Sequence, residues 1–103
     1  MIKRKIQSVL ADLATKFPVV TITGPRQAGK TTLAQLQFPD YTYVNLEDPD
    51  VRLLAERDSK EFLEQYSAPV IIDEVQRAPK LISYIQVIVD RDKRQKGQFI
   101  LTG

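Results

Sequence analysis

Eight consecutive residues, Gly24-Pro25-Arg26-Gln27-Ala28-Gly29-Lys30-Thr31, fit the spacing glycine, any four residues, glycine, lysine, serine or threonine without a gap. The chemistry that suits this spacing is the holding of a polyphosphate. Phosphate oxygens need several backbone N–H donors converging on one anion, and a tight loop entering a helix supplies them. Gly24 permits the turn out of a strand, and Gly29 lets the backbone approach the phosphates with no Cβ in between. Lys30 would reach the β- and γ-phosphates as a point charge, and the Thr31 hydroxyl would ligate Mg²⁺. Thr32 is a further candidate, for the α-phosphate. Pro25, Arg26, Gln27 and Ala28 complete the loop between the two glycines, with Arg26 able to approach phosphates or remain solvated. A turn that merely caps a helix would look similar. At background glycine usage of ~7%, however, the four fixed positions coincide about once in several hundred chains this long.

A second constellation lies farther along, at Val70-Ile71-Ile72-Asp73-Glu74. A short apolar run ending in two carboxylates reads as a buried strand with an acidic terminus. Alone it is a weak signal. Beside a phosphate loop it completes a site, because ligands of parallel sheets bind at the carboxyl ends of strands. Asp73 would hold Mg²⁺ through a water, and Glu74 would orient or deprotonate the water that attacks the γ-phosphate.

These residues need a scaffold, and the flanking pattern supplies one. Ile2, Ile6, Val9, Leu10, Leu13 and Phe17 recur at helical spacing up to Pro18. Val19-Val20-Thr21-Ile22-Thr23 is a β-branched strand leading into Gly24. A helix from Lys30 carries Leu33 and Leu36 and stops before Pro39. Tyr41 to Leu46 is a more polar strand, expected near a sheet edge. Asp48 before Pro49 is a helix N-cap with proline in the first turn, and Asp58 with Glu61 marks a second cap, so two short helices are expected, ending near Tyr66. After the Val70 strand, a helix from Pro79 to Asp90 should turn Leu81, Ile82, Ile85, Ile88 and Val89 inward. Asp90 to Gly97 reads as a solvated helix end and turn, and Phe99-Ile100-Leu101 as the last strand. Strands alternating with helices predict an α/β three-layer domain with a parallel sheet, comprising an N-terminal helix over 1–17 and a core over 18–103.

Composition narrows the chemistry further. The chain has 103 residues, a net charge of +2, no cysteine and no histidine. Disulfides, thiolate zinc sites and histidine acid–base pairs are therefore excluded, whereas an oxygen-ligated cation such as Mg²⁺ is not. The charge is too slight to imply nucleic acid, with Lys3-Arg4-Lys5 the best candidate for a weak contact. No apolar run reaches the length of a membrane span, so the expectation is a soluble, cytoplasmic domain.

The segments Gly-Pro-Arg-Gln-Ala-Gly-Lys-Thr-Thr-Leu, Val-Asn-Leu-Glu-Asp-Pro, Ile-Ile-Asp-Glu-Val-Gln-Arg-Ala-Pro and Phe-Ile-Leu-Thr-Gly together resemble the prokaryotic AAA-type P-loop ATPases that carry an uncharacterised C-terminal domain. The resemblance runs over residues 1–103 nearly end to end. It implies an AAA+-like fold with sheet order 5-1-4-3-2 and an extra helix at the start. It also implies that Gly24, Gly29, Lys30, Thr31 and Thr32 form the nucleotide loop, Asp73 and Glu74 the acidic motif, and Thr102 a sensor of the γ-phosphate. Members of that family are several hundred residues long. The expectation is thus a truncated domain with order 1-4-3-2, whose Val19–Thr23 strand is an open edge prone to self-association. The function expected is ATP–Mg²⁺ binding, with hydrolysis of ATP to ADP in the intact protein. The alternatives are a small-molecule P-loop kinase, against which Glu74 argues, and a nucleotide-gated switch that does not hydrolyse.

Overall fold

The computed structural model describes residues 2–23 and 29–103. Helix α1 (Ile2–Lys16) ends ahead of Pro18, whose ring cannot continue a helix, and strand β1 (Val19–Ile22) follows. Helix α2 (Lys30–Gln37) leads to strand β2 (Thr42–Asn45), then helices α3 (Pro49–Arg57) and α4 (Ser59–Gln65). Strand β3 (Val70–Asp73), a single 3₁₀ turn (Val75–Arg77), helix α5 (Pro79–Arg91) and strand β4 (Phe99–Thr102) complete the chain. The expected caps are present: the Asp48 carboxylate accepts from the Asp50 N–H at 2.9 Å, and Asp58 from the Glu61 N–H at 3.0 Å.

The four strands form one parallel sheet in the order β1-β4-β3-β2. This is the 1-4-3-2 order expected from the sequence, with β2 at one edge. Among the described residues β1 pairs with β4 alone, so its other edge carries no strand.

Side chains alternate across the sheet, and each face has its own core. Val70 and Ile72 of β3, Phe99 and Leu101 of β4, and Val44 of β2 pack with Ala55, Phe62, Leu81 and Ile85 from α3, α4 and α5. Ile71, Ile100 and Val20 point the other way, against Leu10 of α1 and Ala34 of α2. The result is the expected three-layer sandwich. One inward assignment fails. Ile82 is exposed, because the stripe of α5 that meets the sheet is centred on Leu81 and Ile85, and position 82 lies about 80° from that centre around a helix of 3.6 residues per turn.

Phase now decides the site. Continuing the alternation along β3, Asp73 follows Ile71 onto the face covered by α1 and α2. Thr102 follows Ile100 onto that face from β4, and Tyr43 and Asn45 share it from β2, out of phase with buried Val44. The first residues of α2 close the same end of the sheet.

Candidate functional site

At the carboxyl ends of the strands lies a polar pocket of about 290 Å³, lined by Gly29, Lys30, Thr31, Thr32, Asn45, Glu47, Asp73, Glu74 and Gly103. Gly29 to Thr32 and the acidic pair, separated in sequence, thus share one cavity. Gly24, Pro25, Arg26, Gln27 and Ala28 lie outside the described residues. A pocket of about 270 Å³ at the opposite end of the sheet is lined by Pro18, Ile88, Val89 and Phe99 among others, and is mostly apolar.

Gly29 is the N-cap of α2 at φ 73° and ψ 24°, and its carbonyl accepts from the Leu33 N–H at 3.0 Å. Among the described residues, apart from its chain neighbours, a Cβ there would meet nothing within 4 Å. The left-handed backbone at this position favours glycine, since other residues adopt it with strain. The Lys30 Nζ donates to the Gly103 carbonyl at 3.0 Å. That carbonyl follows β4, so the lysine spans the pocket from the start of α2 to the far side.

Asp73 is the best-anchored group of the site. Its Oδ1 accepts from the Thr102 hydroxyl at 2.8 Å and from the Glu74 N–H at 2.9 Å. Its Oδ2 accepts from the Tyr43 hydroxyl at 2.8 Å. Three adjacent strands therefore converge on one carboxylate. The Tyr43 phenol is pushed up to about 12, first by partial burial and then by the hydrogen bond and negative charge of Asp73, with Glu47 adding to the effect. It is a neutral donor throughout the physiological range.

Glu74 leaves the strand at φ 58° and ψ 42°, a left-handed conformation uncommon outside glycine, asparagine and aspartate. Such strain persists where the surroundings impose it, and it clusters at functional sites. Here it turns the chain into the 3₁₀ turn while Glu74 stays on the pocket wall. The Gln76 amide donates to the Glu74 carboxylate, and a Cβ at Gly103 would collide with the amide oxygen of Gln76. Gly103 thus leaves room for the side chain that holds Glu74.

Lys30, Thr31, Thr32, Asp73 and Glu74, the candidates that fall on described residues, all line this one cavity. Thr102 departs from its expected setting. Contact with a γ-phosphate needs a hydroxyl facing the pocket, yet Thr102 is fully buried and its hydroxyl is turned to Asp73. Arg77 is exposed and does not line the pocket. Tyr43 and Gln76 are among the residues that sequence reasoning missed. Tyr43 read as part of an edge strand, although two-residue alternation from Asn45 would have put both on Asp73's face. Gln76 carried no signal beyond its position after the acidic pair.

The comparisons agree with this geometry. A family model described as "AAA domain" matches residues 16–103. Two relatives, each named an uncharacterized protein, from Mycobacterium bovis and Mycobacterium tuberculosis, are each 46% identical over 92 residues. The match takes in 85% of this chain and 20% of each relative, so the chain spans about a fifth of their length. No solved structure gives a significant match. Among the described residues, no helix is long and apolar enough to cross a membrane. With a family match over most of its length and a parallel sheet in the order 1-4-3-2, the chain belongs to the AAA domain family, as a nucleotide-binding domain of the AAA type.

Proposed function

We propose that the chain binds ATP with Mg²⁺ in the polar pocket, and that the full-length protein hydrolyses the ATP to ADP. The observation that carries this reading is the convergence of Lys30, Thr31 and Thr32 with Asp73 and Glu74 on one cavity at the carboxyl ends of a parallel sheet.

The donor set fits the ion. Asp73 and Thr31 offer hard oxygen ligands, the kind that Mg²⁺ prefers. Among the described residues no group of three or more carboxylates, histidines or cysteines is arranged to hold a metal. Mg²⁺ itself keeps several waters and binds through one or two carboxylates plus substrate phosphates. A bound Mg²⁺ supplies charge neutralisation at the phosphate oxygens.

The chain's own residues do the rest. Gly29 caps α2, whose first residues line the pocket, and the N–H groups at a helix start attract phosphate. Lys30 exchanges the Gly103 carbonyl for phosphate oxygens. Asp73 holds the metal side of the nucleotide, with Thr102 acting through it from beneath. Glu74 accepts a proton from the attacking water, and Gln76 holds its carboxylate until then. A glutamate beside the magnesium aspartate favours hydrolysis over transfer to a small-molecule acceptor.

An assay of the full-length protein with Mg²⁺ and ATP decides between these reactions. Release of inorganic phosphate without any added acceptor is expected. Phosphate appearing only on an added acceptor would make the protein a kinase. ATP binding with no turnover would make it a switch. Self-association through the open edge of β1 belongs to the same reading, and sedimentation of the 103-residue chain should give a species larger than the monomer. A sharp monomer boundary at high concentration would remove it.

A further inference from the structure

We propose that Tyr43 is a positioning residue for Asp73, fixing which oxygen of that carboxylate is presented to a nucleotide-bound divalent cation. The inference rests on the ATP–Mg²⁺ reading and adds a residue from β2, the edge strand, to the machinery.

The argument starts from the acceptor capacity of a carboxylate, about four lone-pair directions over its two oxygens. Thr102 and the Glu74 N–H take both directions on Oδ1. Tyr43 takes one on Oδ2, at 2.8 Å. Among the described donors this leaves one direction, on Oδ2, for a cation or its water. Thr102 and Glu74 hold Oδ1 from β4 and from the chain just after β3. Without Tyr43 nothing on the β2 side would hold Oδ2, and the carboxylate could turn about the Oδ1 anchor. Partners that orient a metal-binding carboxylate in this way commonly change metal affinity by 10–100-fold when removed.

The placement of Tyr43 is also poorly explained by packing. Its neighbour Val44 is buried in the α3–α5 core, whereas Tyr43 is 37% exposed. An edge-strand position with that exposure would be filled equally well by phenylalanine or threonine, since the ring alone satisfies β-propensity. What tyrosine adds is a hydroxyl aimed at Asp73.

The test compares the 103-residue chain, Tyr43→Phe and Asp73→Asn by calorimetric titration with a non-hydrolysable ATP analogue, once with Mn²⁺ and once with EDTA. The ratio of the two affinities is the metal-linked gain. For Tyr43→Phe the affinity in EDTA should stay within about twofold of the unaltered chain, while the gain falls about tenfold. Asp73→Asn should lose more of the gain. A Tyr43→Phe variant with its full gain overturns the inference. So does a parallel loss in EDTA and in Mn²⁺, which would mark a purely structural role. If the unaltered chain shows no gain, or Asp73→Asn keeps it, the metal reading itself falls and takes the inference with it. Circular dichroism of each variant confirms that the fold is retained.

Discussion

Lys30→Ala should weaken ATP binding by on the order of a hundredfold while leaving the fold intact. A hydrogen bond to a charged group contributes about 3 kcal/mol at the upper end, and every 1.4 kcal/mol is tenfold in affinity. Lys30 is partly exposed at the first position of α2, where alanine is an excellent helix former, and its Nζ bonds a backbone carbonyl across the pocket rather than a core group. Substitution therefore removes a positive charge from the pocket without opening a cavity. Calorimetry gives the affinity, and thermal denaturation gives the stability. Unchanged affinity with an unchanged melting curve would refute the assignment of the loop.

Glu74→Gln should keep nucleotide binding and lower hydrolysis by the full-length protein by about 10²-fold or more. Glutamine preserves the shape and length of the side chain, so the left-handed backbone at position 74 and the contact with Gln76 have no steric reason to change. What it loses is the ability to accept a proton. Steady-state phosphate release, measured beside equilibrium binding, separates the two effects. Normal turnover would move the base elsewhere, and loss of binding would make Glu74 structural.

Much of the fold was legible because each element carried its own punctuation. Pro18 separated α1 from β1, Asp48-Pro49 and Asp58 opened α3 and α4, and the all-apolar Val70-Ile71-Ile72 could be satisfied only by a strand covered on both faces. The motif over 24–31 and the acidic pair stood out for a different reason: their spacing is the one a polyphosphate would demand, and no local propensity competes with it. What escaped was relational. Tyr43 acquires its role from β2 lying beside β3 in the register Tyr43↔Ile71, Asn45↔Asp73, which brings its hydroxyl diagonally onto Asp73. Nothing in the local sequence states that pairing. Thr102 was expected at the γ-phosphate from the family resemblance, as the polar residue that ends the last strand. Instead it is fully buried and its hydroxyl bonds Asp73, a contact between strands rather than a property of either. The positive φ of Glu74 had no marker, since the residue is not glycine, asparagine or aspartate. Exposed Ile82 shows the limit of reading helix faces from apolar content alone.

The central claim is that ATP with Mg²⁺ occupies the cavity between the start of α2 and the ends of β3 and β4. Amide chemical shifts of the ¹⁵N-labelled 103-residue chain, followed during titration with ATP and Mg²⁺, test it residue by residue. The account predicts large shifts at Gly29, Lys30, Thr31 and Thr32, at Asp73 and Glu74, and at Gly103, whose carbonyl loses the Lys30 ammonium. It predicts little change near Pro18, Ile88 and Phe99, which line the apolar pocket at the other end of the sheet. Shifts confined to that far end, or none at saturating nucleotide, would contradict it.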